Sequence, residues 1–287
     1  MWLYLSLASA IFTGFTAVIM KKCSNNNLAI RLSLLGLLIS NVLYIIIGAC
    51  TTNVIENFNF IYLLKIIPLS LIQSIGYICA ILSVKYASVS TVSPIRKANT
   101  AITLLLGMLI LKENFNFIKL IISVILILLT IFLAKSKENK VDIAEKKGII
   151  YAFGFVLFNG IAGFLNKVYI DIFGNPLEVV FYYGLVIVIA VILYCLITKK
   201  WNYINFSKVN YKGLFLLHSA FDLCANLCSR FSLIKGEVSM VSVITSSSIV
   251  VTILASRIIL KEKISIKKYI MIIGVVLCVF ALSIMKN

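Results

Sequence analysis

Histidine occurs once in these 287 residues, acidic side chains 10 times and proline three times. A lone histidine with scattered acids supplies no nucleophile, base or metal cluster. That argues against an enzyme working on lipid-linked substrates. No Gly-x-x-x-x-Gly-Lys phosphate loop is present, so nothing points to a nucleotide-driven pump. The cysteines at 23, 50, 79, 195, 224, 228 and 278 are odd in number and lie mostly inside apolar runs. They form neither a disulfide framework nor a paired zinc spacing and read as small hydrophobes. No cofactor or metal is expected. Charged residues make up 13% of the chain, about half the roughly 25% of a soluble domain, and no polar stretch is long enough for a soluble domain.

What the chain has is apolar length. Hydrophobic residues reach 61%, against roughly 45–50% in soluble proteins. A helix crossing a hydrocarbon core needs about 20 mostly apolar residues, so the length accommodates about ten spans. Apolar runs bounded by charges predict helices near 2–20, 29–50, 61–84, 89–111, 117–134, 148–169, 176–197, 213–233, 238–260 and 268–285. The fold class expected is an all-α membrane protein. The start, Met1-Trp2-Leu3-Tyr4, has no basic n-region or cleavage site, and no processing is expected.

The formal net charge of +17 lies mainly between the hydrophobic runs. These are loop charges facing water and membrane lipid, not a nucleic-acid surface. Pro176 follows Asn175 where a helix should begin, a position at which a missing N–H costs nothing. Pro94 falls within the fourth span and should break or kink it.

The stretch Lys135–Lys147 is the longest charge-rich segment and divides the chain into 1–134, a linker 135–147, and 148–287. Internal similarity supports the division. Residues 83–121 align without gaps on 232–270, with 14 of 39 positions identical, where chance in so apolar a chain gives about four. The polar matches weigh most: Ser90 on Ser239, Ser93 on Ser242, Thr103 on Thr252, Lys112-Glu113 on Lys261-Glu262. A weaker match sets Phe12, Gly14 and Lys21 against Phe158, Gly160 and Lys167. Five helices per half is an odd number, so the second copy enters the membrane from the opposite side, an inverted repeat typical of alternating-access carriers.

These motifs are similar to those of the drug/metabolite transporter superfamily, specifically the ten-helix EamA-type carriers. Each half there has a small polar run leading into a helix that ends in a glycine- or lysine-glutamate turn. Here the runs are Ala87–Pro94 and Gly236–Ser242, and the turns are Leu111-Lys112-Glu113-Asn114 and Leu260-Lys261-Glu262-Lys263. The resemblance implies an integral membrane protein, expected in a bacterial plasma membrane, moving small metabolites through a cavity between the halves. It also implies cytoplasmic termini. The loop lysines argue otherwise, because those after helices 1, 5, 7 and 9 far outnumber the rest, which puts that side in the cytoplasm and both termini outside. Orientation stays open.

Polar side chains within the spans are the candidate site, because a charge at the bilayer centre costs at least about 2.5–3.5 kcal/mol. Arg96, Lys97 and Asn99 lie inside the fourth span. They form either a cationic wall for an anionic substrate group or partners for an acid on another helix. His218, Asp222, Asn226 and Arg230 recur every four residues in the eighth span, making one polar stripe. Asp222 is the one acid near the middle of any predicted span. It is a candidate proton-coupling group, or else a salt-bridge partner of Arg96 or Lys97. The repeat offset sets Gln73 opposite Asp222 in the third span, with Tyr77 one turn on. Asn159, Asn166 and Lys167 in the sixth span and Thr245–Ser248, Ser246 among them, in the ninth complete the set.

The leading reading is a secondary carrier of amino acids or organic anions, with protons as a possible partner. A multidrug or cationic-compound exporter is the alternative, since it would rely on acidic and aromatic groups instead of Arg96 and Lys97. A non-transporting membrane protein and a lipid-modifying enzyme have less support.

Overall fold

A computed structural model describes residues 1–23, 28–87, 95–113, 117–134, 143–199, 201, 204, 212–260 and 266–284. The run 88–94, with Pro94, and most of the charged linker lie outside the described residues. The described elements are helices: α1 (Trp2–Cys23), α2 (Leu28–Thr51), α3 (Phe60–Tyr86), α4 (Asn99–Ile110), α5 (Phe117–Ala134), α6 (Ile143–Phe173), α7 (Pro176–Thr198), α8 (Lys212–Ser232), α9 (Val238–Ser246), α10 (Ser248–Leu260) and α11 (Ile266–Ile284). Among the described residues, four windows are long and apolar enough to cross a membrane: Leu34–Thr51, Phe60–Ala80, Lys146–Phe173 and Pro176–Thr198.

The predicted boundaries differ in three places. First, α6 begins at Ile143 and not at 148, so the last residues of the charged stretch are its opening turn. Ala144, Glu145, Lys146 and Lys147 are strong helix formers, and nothing there stops a helix. Second, the predicted helix 238–260 is two helices that meet at Ser247. Ser242, Thr245, Ser246 and Ser247 each turn a hydroxyl back to the carbonyl three residues earlier. Such back-bonding draws the chain into tighter i→i−3 geometry, and the backbone follows: Ser247 N bonds Ile244 O at 3.1 Å and Val250 N bonds Ser247 O at 2.9 Å.

Third, the predicted helix 89–111 in the first half has its break at the equivalent place, and α4 begins at Asn99. Ala98 N bonds Ile95 O and Ala101 N bonds Ala98 O, each at 3.0 Å. Ile95, Ala98 and Ala101 are the repeat counterparts of Ile244, Ser247 and Val250.

Packing repeats as well. Gly14 of α1 sits so close to α10 that a Cβ there would stand 2.5 Å from Val251 Cβ and 3.0 Å from Ser248 O. Gly160 of α6 sits on α4 in the same way, 2.7 Å from Ile102 Cβ and 3.0 Å from Asn99 O. Thr252 Oγ1 donates to Gly14 O at 3.3 Å, and Thr103 Oγ1 to Gly160 O at 2.8 Å. These pairings leave side-chain volume out of the helix contact, as close-packed membrane helices require. The other main contacts are α1 on α8, α3 on α6, α2 on α7, α4 on α9 and α5 on α11.

The largest core runs along α7 as far as Ile187, Val191 and Cys195 and closes one end of the bundle. Val54 after α2, Tyr62 of α3, Leu111 after α4, Phe173 of α6, Val179 and Tyr182 of α7, Leu233 after α8 and Val238 of α9 meet there, with Trp2 of α1 against them. Tyr182 accepts from Asn59 N at 2.8 Å beside the rings of Phe58 and Tyr62. Pro68 lies inside α3 and disturbs the carbonyls of the preceding turn. One of them, Lys65 O, is taken up by Tyr169 Oη at 2.6 Å. Asn175 caps α7 through Leu177 N at 2.9 Å, with Pro176 in its first turn as expected.

Candidate functional site

The two helix breaks, the middles of α1, α2 and α3, and the polar face of α8 enclose a cavity of about 450 Å³. The position of the breaks explains its polarity. A broken helix presents backbone and hydroxyl groups that lipid cannot satisfy, so they must face protein or a wet cavity.

Of the site residues expected from the sequence, Arg96, Lys97, Asn99, Gln73, Tyr77, Asn159, His218, Asp222, Asn226 and Ser246 all line this cavity. Asn166 does not. Its Nδ2 donates to Ala162 O at 2.8 Å within α6; it shares a helix face with Asn159 but lies two turns further along, toward the packed end of the bundle. Lys167 is drawn to the packed end of the bundle, where it donates to Asp171 at 2.9 Å and to Leu233 O at 2.8 Å.

The cationic side is built from the residues just before α4. Lys97 Nζ donates to Ser248 Oγ at 2.6 Å, so a group beside one break is held by a group beside the other. The Arg96 guanidinium lies 4.4 Å over the ring of Phe155 on α6, and its Nε is buried without a hydrogen-bond partner. Stacking on an aromatic face leaves the guanidinium edge free to take a planar anion.

The acidic side belongs to α8. His218 and Arg230 are the ionisable neighbours of Asp222, and Asn226 Nδ2 donates to the Asp222 backbone carbonyl at 2.9 Å. Arg230 is buried 4.8 Å over the ring of Tyr183. His218 Nδ1, Tyr44 Oη and Asn41 Oδ1 are buried here without partners. Among the described residues, no ion pair joins Asp222 to Arg96 or Lys97. The cavity therefore has two cations without a paired acid on the α4 side and Asp222 beside Arg230 on the α8 side. It can hold an anionic group at one wall and a hydrogen-bond donor at the other. Among the described residues, no group of three metal-ligating side chains comes together.

Phe155, Tyr44, Tyr183, Ser40 and Asn41 also contribute to this site but were not singled out from the sequence. Aromatic and hydroxyl residues in apolar runs look like ordinary lipid-facing or packing positions. The one available signal was spacing: Phe155 and Asn159 lie one turn apart on α6.

Comparison with known proteins bears on the whole chain. A sequence model described as the EamA-like transporter family matches residues 1–135 and again 146–284. No curated protein matches the chain. A solved crystal structure, described only as that of a protein, is similar at a TM-score of 0.77 and 12% identity, over 98% of this chain and 96% of that one. At that identity the likeness concerns the fold alone.

Proposed function

Since the chain belongs to the EamA-like transporter family of the drug/metabolite transporter superfamily, we propose that it carries amino acids or organic anions by alternating access. Members of this family are integral membrane transporters of small solutes. The finer reading has ten spans in two inverted five-helix halves, 1–134 and 148–287 joined by 135–147, placed in a bacterial plasma membrane. Its support is the duplicated geometry: breaks at Ala98 and Ser247, and threonine–glycine bonds at Thr103–Gly160 and Thr252–Gly14.

The single observation that carries the substrate class is the cationic wall. Arg96 and Lys97 face a cavity with no carboxylate paired to either among the described residues. A buried cation without a partner is strongly unfavourable, and an incoming anion supplies the partner. Arg96 and Lys97 bind the anionic group, while Asn99, Gln73, Tyr77, Asn159, His218, Asn226 and Ser246 bind the remainder of the solute. Asp222 exchanges a proton and couples transport to a proton gradient. A multidrug exporter for cations fits less well, because a cation entering here meets Arg96 and Lys97.

The test is a thermal-shift screen of purified protein against a metabolite library, followed by uptake in proteoliposomes. Stabilisation and saturable uptake of amino acids or organic anions are expected. Binding of no small solute would overturn the carrier reading, and preference for lipophilic cations would replace the anion reading.

A further inference from the structure

The packed end of the bundle is fastened by a carboxylate that the cavity does not use. α4 ends in a turn where Lys112 has φ 52°, a left-handed conformation that non-glycine residues keep only when their surroundings hold it. The turn carries Glu113 across to the other half. Its Oε1 accepts from Val238 N and its Oε2 from Ser239 N at 3.1 Å. Glu237, the residue at the N-cap of α9, makes no side-chain cap bond, so the cap comes from Glu113 in a distant segment. Gly107 leaves no slack beneath it. A Cβ there would stand 2.7 Å from Val238 Cγ1 and 2.9 Å from Glu113 Oε2.

The contact lies directly on the cavity. Val238 is 2% exposed and lines the cavity wall from this end, and Leu111 and Val238 join the same apolar core. A carboxylate on two N–H groups at a positive helix end is among the stronger polar contacts a protein makes. This one runs from one half to the other, so it breaks whenever the end of α4 and the start of α9 separate. The repeat sets Glu262, Val89 and Ser90 against Glu113, Val238 and Ser239. Those counterparts lie outside the described residues, and the assignment concerns Glu113 alone.

We propose that Glu113 is the latch of this end of the carrier: it holds α4 to the N-terminus of α9 and releases it when the cavity opens there. The proposal rests on the carrier reading. The face concerned is the one on which α1 begins, because Trp2 Cε3 lies 3.1 Å from where a Cβ of Gly236, just before α9, would stand.

The test reads access to the cavity without any solute. In the full-length protein with its native cysteines replaced, Ser242→Cys on the cavity wall is labelled with a membrane-impermeant maleimide. Labelling is run in right-side-out and in inside-out vesicles. Glu113→Gln keeps the size but offers one acceptor in place of two, and it is expected to speed labelling from the α1-start face about tenfold or more. Labelling from the opposite face should not rise. Gly107→Ala keeps the carboxylate and forces the same contact apart, so it should act on the same face. Glu113→Asp keeps the charge but shortens the reach and should fall between wild type and Glu113→Gln. Unchanged labelling in these variants, or equal gains from both faces with a lowered melting temperature, would make Glu113 an ordinary helix cap and overturn the proposal. Should Glu113→Gln fail to fold, Gly107→Ala and Glu113→Asp carry the same two outcomes. Failure of the carrier reading would show instead in the uptake assay.

Discussion

Lys97 and Ser248 join the two helix breaks: the lysine Nζ donates to the serine Oγ at 2.6 Å, each residue lying within one position of its break at Ala98 or Ser247. Ser248→Ala removes the acceptor that aims Lys97 into the cavity. An affinity loss of about 0.5–1.5 kcal/mol for the anionic solute is expected, the usual net worth of such a bond. Ligand titration checks it, and an unchanged affinity would mean that the hydroxyl does not position the lysine.

Arg96→Gln should weaken binding of an anionic solute by about 1.5–3 kcal/mol, the range for a charged hydrogen bond, while leaving the fold intact. Lysine at this position should rescue only part, since it lacks the planar fork and stacks less well. Phe155→Leu removes the ring under the guanidinium and should cost about 0.5–2 kcal/mol by the same titration. Normal affinity in both variants would take Arg96 out of the site.

Asp222→Asn is expected to give a folded protein that still exchanges solute but no longer accumulates it when a pH difference is imposed. Asp222 has no ion pair with Arg96 or Lys97 among the described residues, so its removal strands neither of those cations. Its ionisable neighbours are His218 and Arg230; Arg230 loses the acid beside it in this variant but keeps its place over the Tyr183 ring. Full pH-driven accumulation by the variant would exclude Asp222 as the coupling group.

The duplicated glycines offer a stability test. Gly14→Ala and Gly160→Ala each place a Cβ against backbone and a β-branched side chain, and each should cost about 1–3 kcal/mol of overpacking. Gly213→Ala, in the first turn of α8, meets nothing within 4 Å and should leave stability within about 0.5 kcal/mol. Melting temperatures in detergent decide between them. Similar losses at 14 and 160 are the signature of related halves.

Terminal reporter fusions should place both ends of the chain on one side of the membrane, as an even number of spans requires. Opposite sides would remove the ten-span reading. The same fusions decide between the lysine distribution and the family expectation for orientation.

The apolar runs made the helices legible in the sequence, and four-residue spacing made the α8 stripe legible, because both are periodic properties of one segment. The repeat alignment sets Thr103 against Thr252 and Gly14 against Gly160. What those residues touch could not be read. Gly160 lies against Asn99 and Ile102 because α4 and α6 cross, and crossing geometry has no local signature. Asn166 shares a helix face with Asn159, seven residues being close to two full turns, yet those two turns carry it about 10 Å along the axis and beyond the cavity, where its amide bonds Ala162 O instead. The break at Ser247 had a visible cause in its run of hydroxyls, though the same run reads equally well as an unbroken polar face.

The cavity's charges are unequally shared between otherwise matching halves. Arg96 and Lys97 correspond under the repeat to Thr245 and Ser246, and Asp222 to Gln73. Pseudo-symmetric framework contacts thus surround an asymmetric lining with more positive than negative charge. In a carrier that rocks between two faces, such a lining sits in the membrane's electric field, where each elementary charge moved through the full potential is worth about 2.3 kcal/mol per 100 mV. On the proposed carrier reading, reorientation of the empty protein is then voltage-sensitive, and an anionic cargo that neutralises the lining makes the loaded step less so.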